Sequence, residues 1–423
     1  MSKSRIFNYE TLVMILMGLA FGVVFFDRVA LNVLAPFIVP DLHLNNSELG
    51  ALAAGLGLTW AISGYGVGAL SDYLGNRKLL LVIAIVVFSL CSVISGLASS
   101  FVMLLGARMI MGLAEGPVLP IAQSIMMAES SEARRGFNQG VLQNFLSTLM
   151  GSFAAPLILV AIGSAYGWRH AFYVAAVPGF VIAFLVAALV QEPRLSGHRR
   201  QRDAGGALGL SKMLRYHNIW VCTIIACLMI AWVLIQLVFL PIYLVQTRGL
   251  APAEMSVVMA ATAVSSAISS MVVPALSDRF GRRPVIAFFT FISVSGPLAA
   301  VLFSGPLPVM CLLMGIGFFA VGGFSLFMAT VPSETIPPAH VATTMGFIIG
   351  VGEVVGGFAG PGVAGVAADV LGASTPFWIA AALGVVASGC SLLLYETAPR
   401  IVGHADSRAA ASSATLEAGH AAP

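Results

Sequence analysis

The chain is 423 residues long, 59% hydrophobic and only 9% charged, with a formal net charge of +3. Its mean hydropathy of +0.96 is far from that of soluble domains, about a quarter of whose residues are charged. Such a chain belongs in lipid, and its small positive charge gives no ground for a nucleic-acid partner.

A hydrocarbon core about 30 Å thick needs roughly 20 apolar residues per helix. The first runs of that kind are predicted at 11–37, 47–70, 78–98, 101–128, 136–162 and 169–191. The earliest outlasts the apolar segment of a signal peptide and lacks a small-residue cleavage site, so it reads as a span. Residues 193–217 follow as one long basic connection with Gly and Ser, suited to tether two bundles and to rest on anionic lipid. A second set is predicted at 218–246, 254–276, 284–304, 308–331, 340–369 and 375–396. From 401 the tail is rich in Ala and Ser and cannot bury a core, so disorder is expected there. The expected fold is therefore all-α integral membrane, with twelve transmembrane helices in two six-helix bundles. The N-terminal bundle covers 1–192, a cytoplasmic linker 193–217, the C-terminal bundle 218–400 and the tail 401–423.

Basic residues test this layout independently. With the amino terminus in the cytoplasm, seventeen of the 21 Lys and Arg residues fall on the inner side. Only Arg169 and Arg248 fall outside, and Arg28 and Arg108 lie within helices. This is a strong positive-inside bias; it puts both termini in the cytoplasm and the chain in the plasma (inner) membrane. The cysteines Cys91, Cys222, Cys227, Cys311 and Cys390 sit in apolar runs without paired or metal-ligand spacing and read as packing residues. No nucleophile–base arrangement, metal cluster or phosphate loop appears, so neither an enzyme nor a cofactor is expected.

The stretch Gly68-Ala-Leu-Ser-Asp72-Tyr-Leu-Gly75-Asn-Arg77-Lys78 returns as Pro274-Ala-Leu-Ser-Asp278-Arg-Phe-Gly281-Arg282-Arg-Pro284. Glu192-Pro193-Arg194 closes the first half as Glu396-Thr-Ala-Pro399-Arg400 closes the second. Asp72 to Asp278, Gly75 to Gly281 and Arg194 to Arg400 are each 206 positions apart. A duplicated unit in a membrane protein points to two halves that move about a central site. Glycines crowd the second and eleventh helices, where they permit close packing or sliding contact.

The repeated loop motif resembles the signature of the major facilitator superfamily, and the resemblance covers roughly residues 10–400. It implies two six-helix bundles working by alternating access. Asp72 and Arg77 match its acidic and basic positions, as do Asp278 and Arg282. A carboxylate there can cap a helix amino terminus or pair with Arg, forming a charged latch that breaks when the inner side opens.

Five ionisable residues lie deep in apolar runs: Asp27, Arg28, Arg108, Glu115 and Glu353. Each costs on the order of 2.5–3.5 kcal/mol at the bilayer centre, so they must face one another or a water-filled cavity. Arg108 and Glu115 are seven apart and share a helix face, with Gly112 between them. Asp27 and Arg28 point about 100° apart, so one of them must look elsewhere. Two readings are open: ion pairs that hold the first bundle together, or a substrate and proton site. Two guanidinium forks suit a carboxylate, and two carboxyls suit protons.

The segments Phe25-Phe-Asp27-Arg28-Val-Ala-Leu-Asn-Val-Leu-Ala-Pro36 and Arg108-Met-Ile-Met-Gly112-Leu-Ala-Glu115-Gly-Pro117 are similar to those of the anion:cation symporter family. That family includes sugar-acid, phthalate and vesicular glutamate-type carriers. The resemblance implies that Arg28 and Arg108 engage an anionic substrate while Asp27 and Glu115 carry coupling protons. Trp60 stands where a substrate-facing Tyr is common, Gly64 replaces a common Gln, and Glu353 is foreign to the pattern. Glu353 reads as a third proton site or as a sensor of a cationic part of the cargo. Gln143, Asn144, Gln236, Tyr243 and Ser325 are softer candidates, each weighed against a helix-packing role.

The function expected is proton-coupled symport of a small organic anion, such as a carboxylate or sugar acid, by a monomer in contact with membrane lipid. A rival is proton-driven export of amphipathic or drug-like compounds, which Glu353 and the apolar second half would suit. A metabolite receptor is a third class, and the short outer loops argue against it.

Overall fold

Lipid offers the backbone no hydrogen-bond partner but itself, and the chain accordingly winds almost entirely into helix. The computed structural model describes residues 9–74, 76–131, 138, 141–192, 215–336, 341–398 and 401, without the side chains of 64–74, 143–144 and 341–343. The linker expected at 193–217 and the tail expected from 401 fall almost wholly outside the described residues.

The first half supplies α1 (Tyr9–Asp41), α2 (Asn46–Leu74), α3 (Arg77–Gly96), α4 (Phe101–Glu129), α5 (Thr148–Tyr166) and α6 (Trp168–Leu189). The second supplies α7 (His217–Thr247), α8 (Pro252–Phe280), α9 (Arg282–Leu302), α10 (Leu307–Thr335), α11 (Thr344–Leu371) and α12 (Thr375–Ser391). Ten are long and apolar enough to cross a bilayer; α2 and the shorter α12 complete the expected twelve. Leu90, Phe184, Phe288 and Trp378 stand exposed on α3, α6, α9 and α12, as apolar side chains do against acyl chains. Helix ends differ from the predicted runs by a few residues, except that α5 begins at Thr148 against a predicted 136. The instructive case is α12, which stops at Ser391 rather than 396 because Glu396 leaves the helix to bond another.

That bond explains the second repeated motif. Glu192 accepts from the backbone N–H groups of Arg77 (2.8 Å) and Lys78 (2.9 Å), at the start of α3. Glu396 accepts from Arg282 (2.8 Å) and Arg283 (3.2 Å), at the start of α9. Each half thus ends on an acid that satisfies otherwise orphaned donors at the amino terminus of its third helix. Gly281, the residue before α9, has φ +103° and lies against the Glu396 carboxyl, so both its backbone and its surroundings call for glycine.

The duplication is equally plain inside the bundles. In α5 the segment Thr148–Ala154 is π-helical, and in α11 so is Glu353–Ala359. Gly151 in the first lies on the backbone of Phe25 in α1, and Gly356 in the second lies on the backbone of Cys227 and Ala231 in α7. Wide turns and missing side chains let α5 sit tight on α1, and α11 on α7.

Tyr9, Gln191 and Glu192 meet on one face, which also gathers Asn218, Tyr395 and Glu396; this is the termini face. On the opposite, far face Asp41 binds Arg169 at 2.6 Å, and Arg248 donates to carbonyls at the end of α9. Glu396→Ala should cost about 1–2 kcal/mol through two lost capping bonds. A fall of a few degrees in the Tm of the purified protein, matched by Glu192→Ala, is the expected measurement.

Candidate functional site

Four helices of the first bundle converge on Arg108. Its guanidinium is fully buried and lies 5.3 Å from the ring of Phe172 on α6. Nη1 donates to the backbone carbonyl of Asp27 (3.4 Å) and to Sδ of Met111 (3.3 Å), whereas Nε and Nη2 have no partner. The Asp27 carboxyl, also fully buried, accepts from the Ser92 hydroxyl on α3 through Oδ1 and leaves Oδ2 unbonded. Glu115 is fully buried with both oxygens unbonded, although the charges of Asp27, Arg28 and Arg108 all reach it. Gly112 holds α4 hard against Thr59 and the backbone of α2, leaving no room for a side chain. A network this incompletely bonded is a poor way to stabilise a bundle, since each orphaned buried group costs about 1–3 kcal/mol.

Arg28 points elsewhere. It is only half-buried, and its guanidinium lies 5.3 Å from the centroid of the Trp60 indole on α2. From the other bundle, Glu353 on α11 comes within reach of the Arg28 charge. Its carboxyl lies over Gly357 beside Leu234 of α7, and Oε2 is buried without a partner. Antiparallel packing sets this level: Gly365 lies on Asn46, Gly50 on Pro361, and Gly57 faces the carbonyl of Gly357. Continuing that register brings Trp60 opposite Glu353. Arg28, Trp60 and Glu353 are therefore the candidate site residues where the bundles meet, backed by the Asp27–Arg108–Glu115 group.

On the far face the seam is tied shut. Asp369, near the end of α11, accepts from Asn46 N (2.9 Å), Asn46 Nδ2 (2.8 Å), Ser47 N (2.8 Å) and the Ser47 hydroxyl, capping α2 from the opposite bundle. On the termini face Arg282 pairs with Asp278 (2.5 Å) and with Glu334 at the end of α10 (2.9 Å), and Thr397 also donates to Glu334 (2.6 Å). Arg77 opens α3 beside Glu192, while the side chain of Asp72 lies outside the described residues.

Other sequence candidates are placed differently from expectation. Arg108 was expected to touch cargo, yet α1, α3, α4 and α6 enclose it. Gln236 is fully buried beside Gly296 of α9, with both amide atoms unbonded. Tyr243 is buried against Phe377 of α12, ring centroids 4.6 Å apart. Both lie within the second bundle, because α7 turns those faces toward α9 and α12. Ser325 donates to Gly322 in its own helix. The side chains of Gln143 and Asn144 are outside the described residues. Sequence reasoning missed Asp369, Glu334 and the capping role of Glu192 and Glu396. Glu334 had a usable signal, since Glu129 ends α4 as Glu334 nears the end of α10; Asp369 had none, because its partners lie in the other half.

A family model described as the Major Facilitator Superfamily matches residues 17–351 and again 234–419. The chain belongs to the major facilitator superfamily. It is 25% identical over 401 residues to a protein named as the probable sulfoacetate transporter SauU of Cupriavidus necator, covering 89% of this chain and 92% of that one. Over 261 residues it is 30% identical to the hexuronate transporter of Bacillus subtilis, covering 60% and 61% respectively. A crystal structure of a bacterial homologue of the human lysosomal transporter Spinster, inward-facing and unoccupied, superposes with a TM-score of 0.76. That likeness covers 93% of this chain and 97% of the other at 18% identity, and it speaks for the fold. As a member of this superfamily the protein is a membrane transporter and not an enzyme.

Asp369→Ala should loosen the far face, weakening the contact between the bundles there roughly tenfold or more through the loss of charge-assisted bonds. Spin labels placed at His43 and Ala373 should then report a second, longer distance; an unchanged distribution would show that glycine packing alone keeps the seam closed.

Proposed function

We propose that this transporter takes up a small organic anion together with protons by alternating access. The observation that carries the reading is Arg28, a guanidinium left half-buried between the bundles under Trp60 and free of any salt bridge among the described residues. Its planar fork suits a carboxylate, and the aromatic ring fixes its plane. The names of the two relatives, a sulfoacetate and a hexuronate carrier, agree with an anionic cargo.

Charge balance supports the proton. Two guanidiniums, Arg28 and Arg108, stand against three carboxyls, Asp27, Glu115 and Glu353. An anion arriving at Arg28 adds a negative charge near these carboxyls, and a proton bound with it offsets that charge. Bringing one negative charge into a cell at 100 mV, negative inside, costs about 2.3 kcal/mol, and one proton cancels that term. In this scheme Asp27 and Glu115 carry the protons. Arg108 is an enclosed counter-charge that tunes them and does not touch cargo.

The cycle follows from the two faces. The bonds to Asp369 hold one closed; reversing access requires their rupture and closure at the termini face, where the Asp278–Arg282–Glu334 group sits. The excess of Lys and Arg puts that face in the cytoplasm of a cell whose plasma (inner) membrane holds the protein. One copy carries the whole site, in keeping with a monomer.

Liposomes carrying the purified protein, with acid outside and a panel of labelled carboxylates, test this reading. Arg28→Ala should lower uptake of every transported acid by roughly tenfold or more. Glu115→Gln should abolish pH-driven accumulation while leaving anion-for-anion exchange. Uptake of no acid by the wild type, with export of a cationic dye instead, would move the assignment to the exporter.

A further inference from the structure

Glu353 is the intramembrane charge that neither the repeated motif nor the proton sites account for. It stands on α11, whereas Asp27, Arg28, Arg108 and Glu115 all belong to the first bundle. The helices packed against its segment are α2 and α7, and Arg28 of α1 lies within electrostatic range. From α1 comes Arg28, while the neighbouring Asp27 is turned away to Ser92. From α2 comes Trp60, by the register of the glycine contacts. From α7 come Cys227, Ile230, Ala231 and Leu234, none of them charged. Arg28 is thus the one cation among the described residues whose charge reaches Glu353, and the two do not approach to ion-pair distance.

An acid with an unbonded oxygen on one side of the seam lies within electrostatic range of a guanidinium on the other that is not its partner. Those are the two ends of a ligand. We infer that Glu353 accepts a hydrogen bond from a hydroxyl or ammonium group of the cargo whose carboxylate Arg28 holds, so that the transported anion is a hydroxy or amino acid and not a plain carboxylate. This rests on the anion reading of Arg28. A bare carboxylate cargo would be repelled by Glu353 across a water-poor gap, and a donor on the same molecule turns that repulsion into attraction. A site built to receive a donor rejects the analogue that lacks it, because its own polar group is left unpaired. A cargo held by Arg28 and Glu353 also spans both bundles, which gives binding a direct hold on their relative position.

The test is equilibrium binding to the purified full-length protein of carboxylates in matched pairs: glucuronate against cyclohexanecarboxylate, lactate against propionate, alanine against propionate. Wild type should favour the donor-bearing member of at least one pair by about tenfold or more. Glu353→Ala should shrink that preference to within about threefold, chiefly by improving the plain acid. Glu353→Gln, whose amide still accepts from a hydroxyl, should keep part of the hydroxyl preference and lose the ammonium preference. Equal binding of both members by wild type, or an equal loss of both in Glu353→Ala, would overturn the inference while leaving an Arg28-dependent anion carrier intact. Binding of no carboxylate, or binding indifferent to Arg28→Ala, would instead bring down the anion reading and this inference with it.

Discussion

Charge in a medium without water has to be held by the protein, and the arrangement around Arg108 follows from that constraint. The first bundle surrounds this guanidinium with a carbonyl, a thioether and an aromatic ring, and sets the carboxyls of Asp27 and Glu115 within electrostatic range. Yet it stops short of pairing them: oxygens of both acids and two guanidinium nitrogens remain unbonded. Full pairing would make a rigid, inert core. Groups that are close, charged and incompletely bonded are able to exchange partners and protons.

Helix-capping by carboxylates appears in two forms with opposite consequences. Glu192 and Glu396 cap α3 and α9 from within their own bundles, so those bonds travel with the bundle and need never break. Asp369 caps α2 from across the seam, so the same chemistry becomes a closure that lasts only while the bundles meet. The glycines of α2 and α11 permit this contact: with Gly50 and Gly365 lying on opposing backbone, the two helices have no interlocking side chains there to unpick. The first kind of contact lies within a bundle, and the second joins the two bundles.

Much of the fold was legible in the residues. Apolar run length gave twelve helices close to their observed ends, and the loop motif at Asp72 and Asp278 announced the duplication. Site legibility was uneven. Asp27, Arg28, Glu115 and Glu353 could be picked out because a charge in an apolar run is expensive wherever the helix packs. Which way each pointed could not. Arg28 and Arg108 look equivalent in the sequence, and one faces the seam while the other is sealed in a bundle. Gln236 and Tyr243 sit on the helix expected to line the site, turned toward its neighbours instead.

Hydropathy, the distribution of Lys and Arg and the repeated motifs are properties of composition and spacing, so the chain alone determined membrane class, helix number and duplication. Helix rotation and cross-bundle register depend on how complementary surfaces far apart in the chain come together. Only the packed structure could therefore decide that Asp369 meets Asn46 and Ser47, that Glu334 meets Arg282, and that Glu353 comes within range of the Arg28 charge.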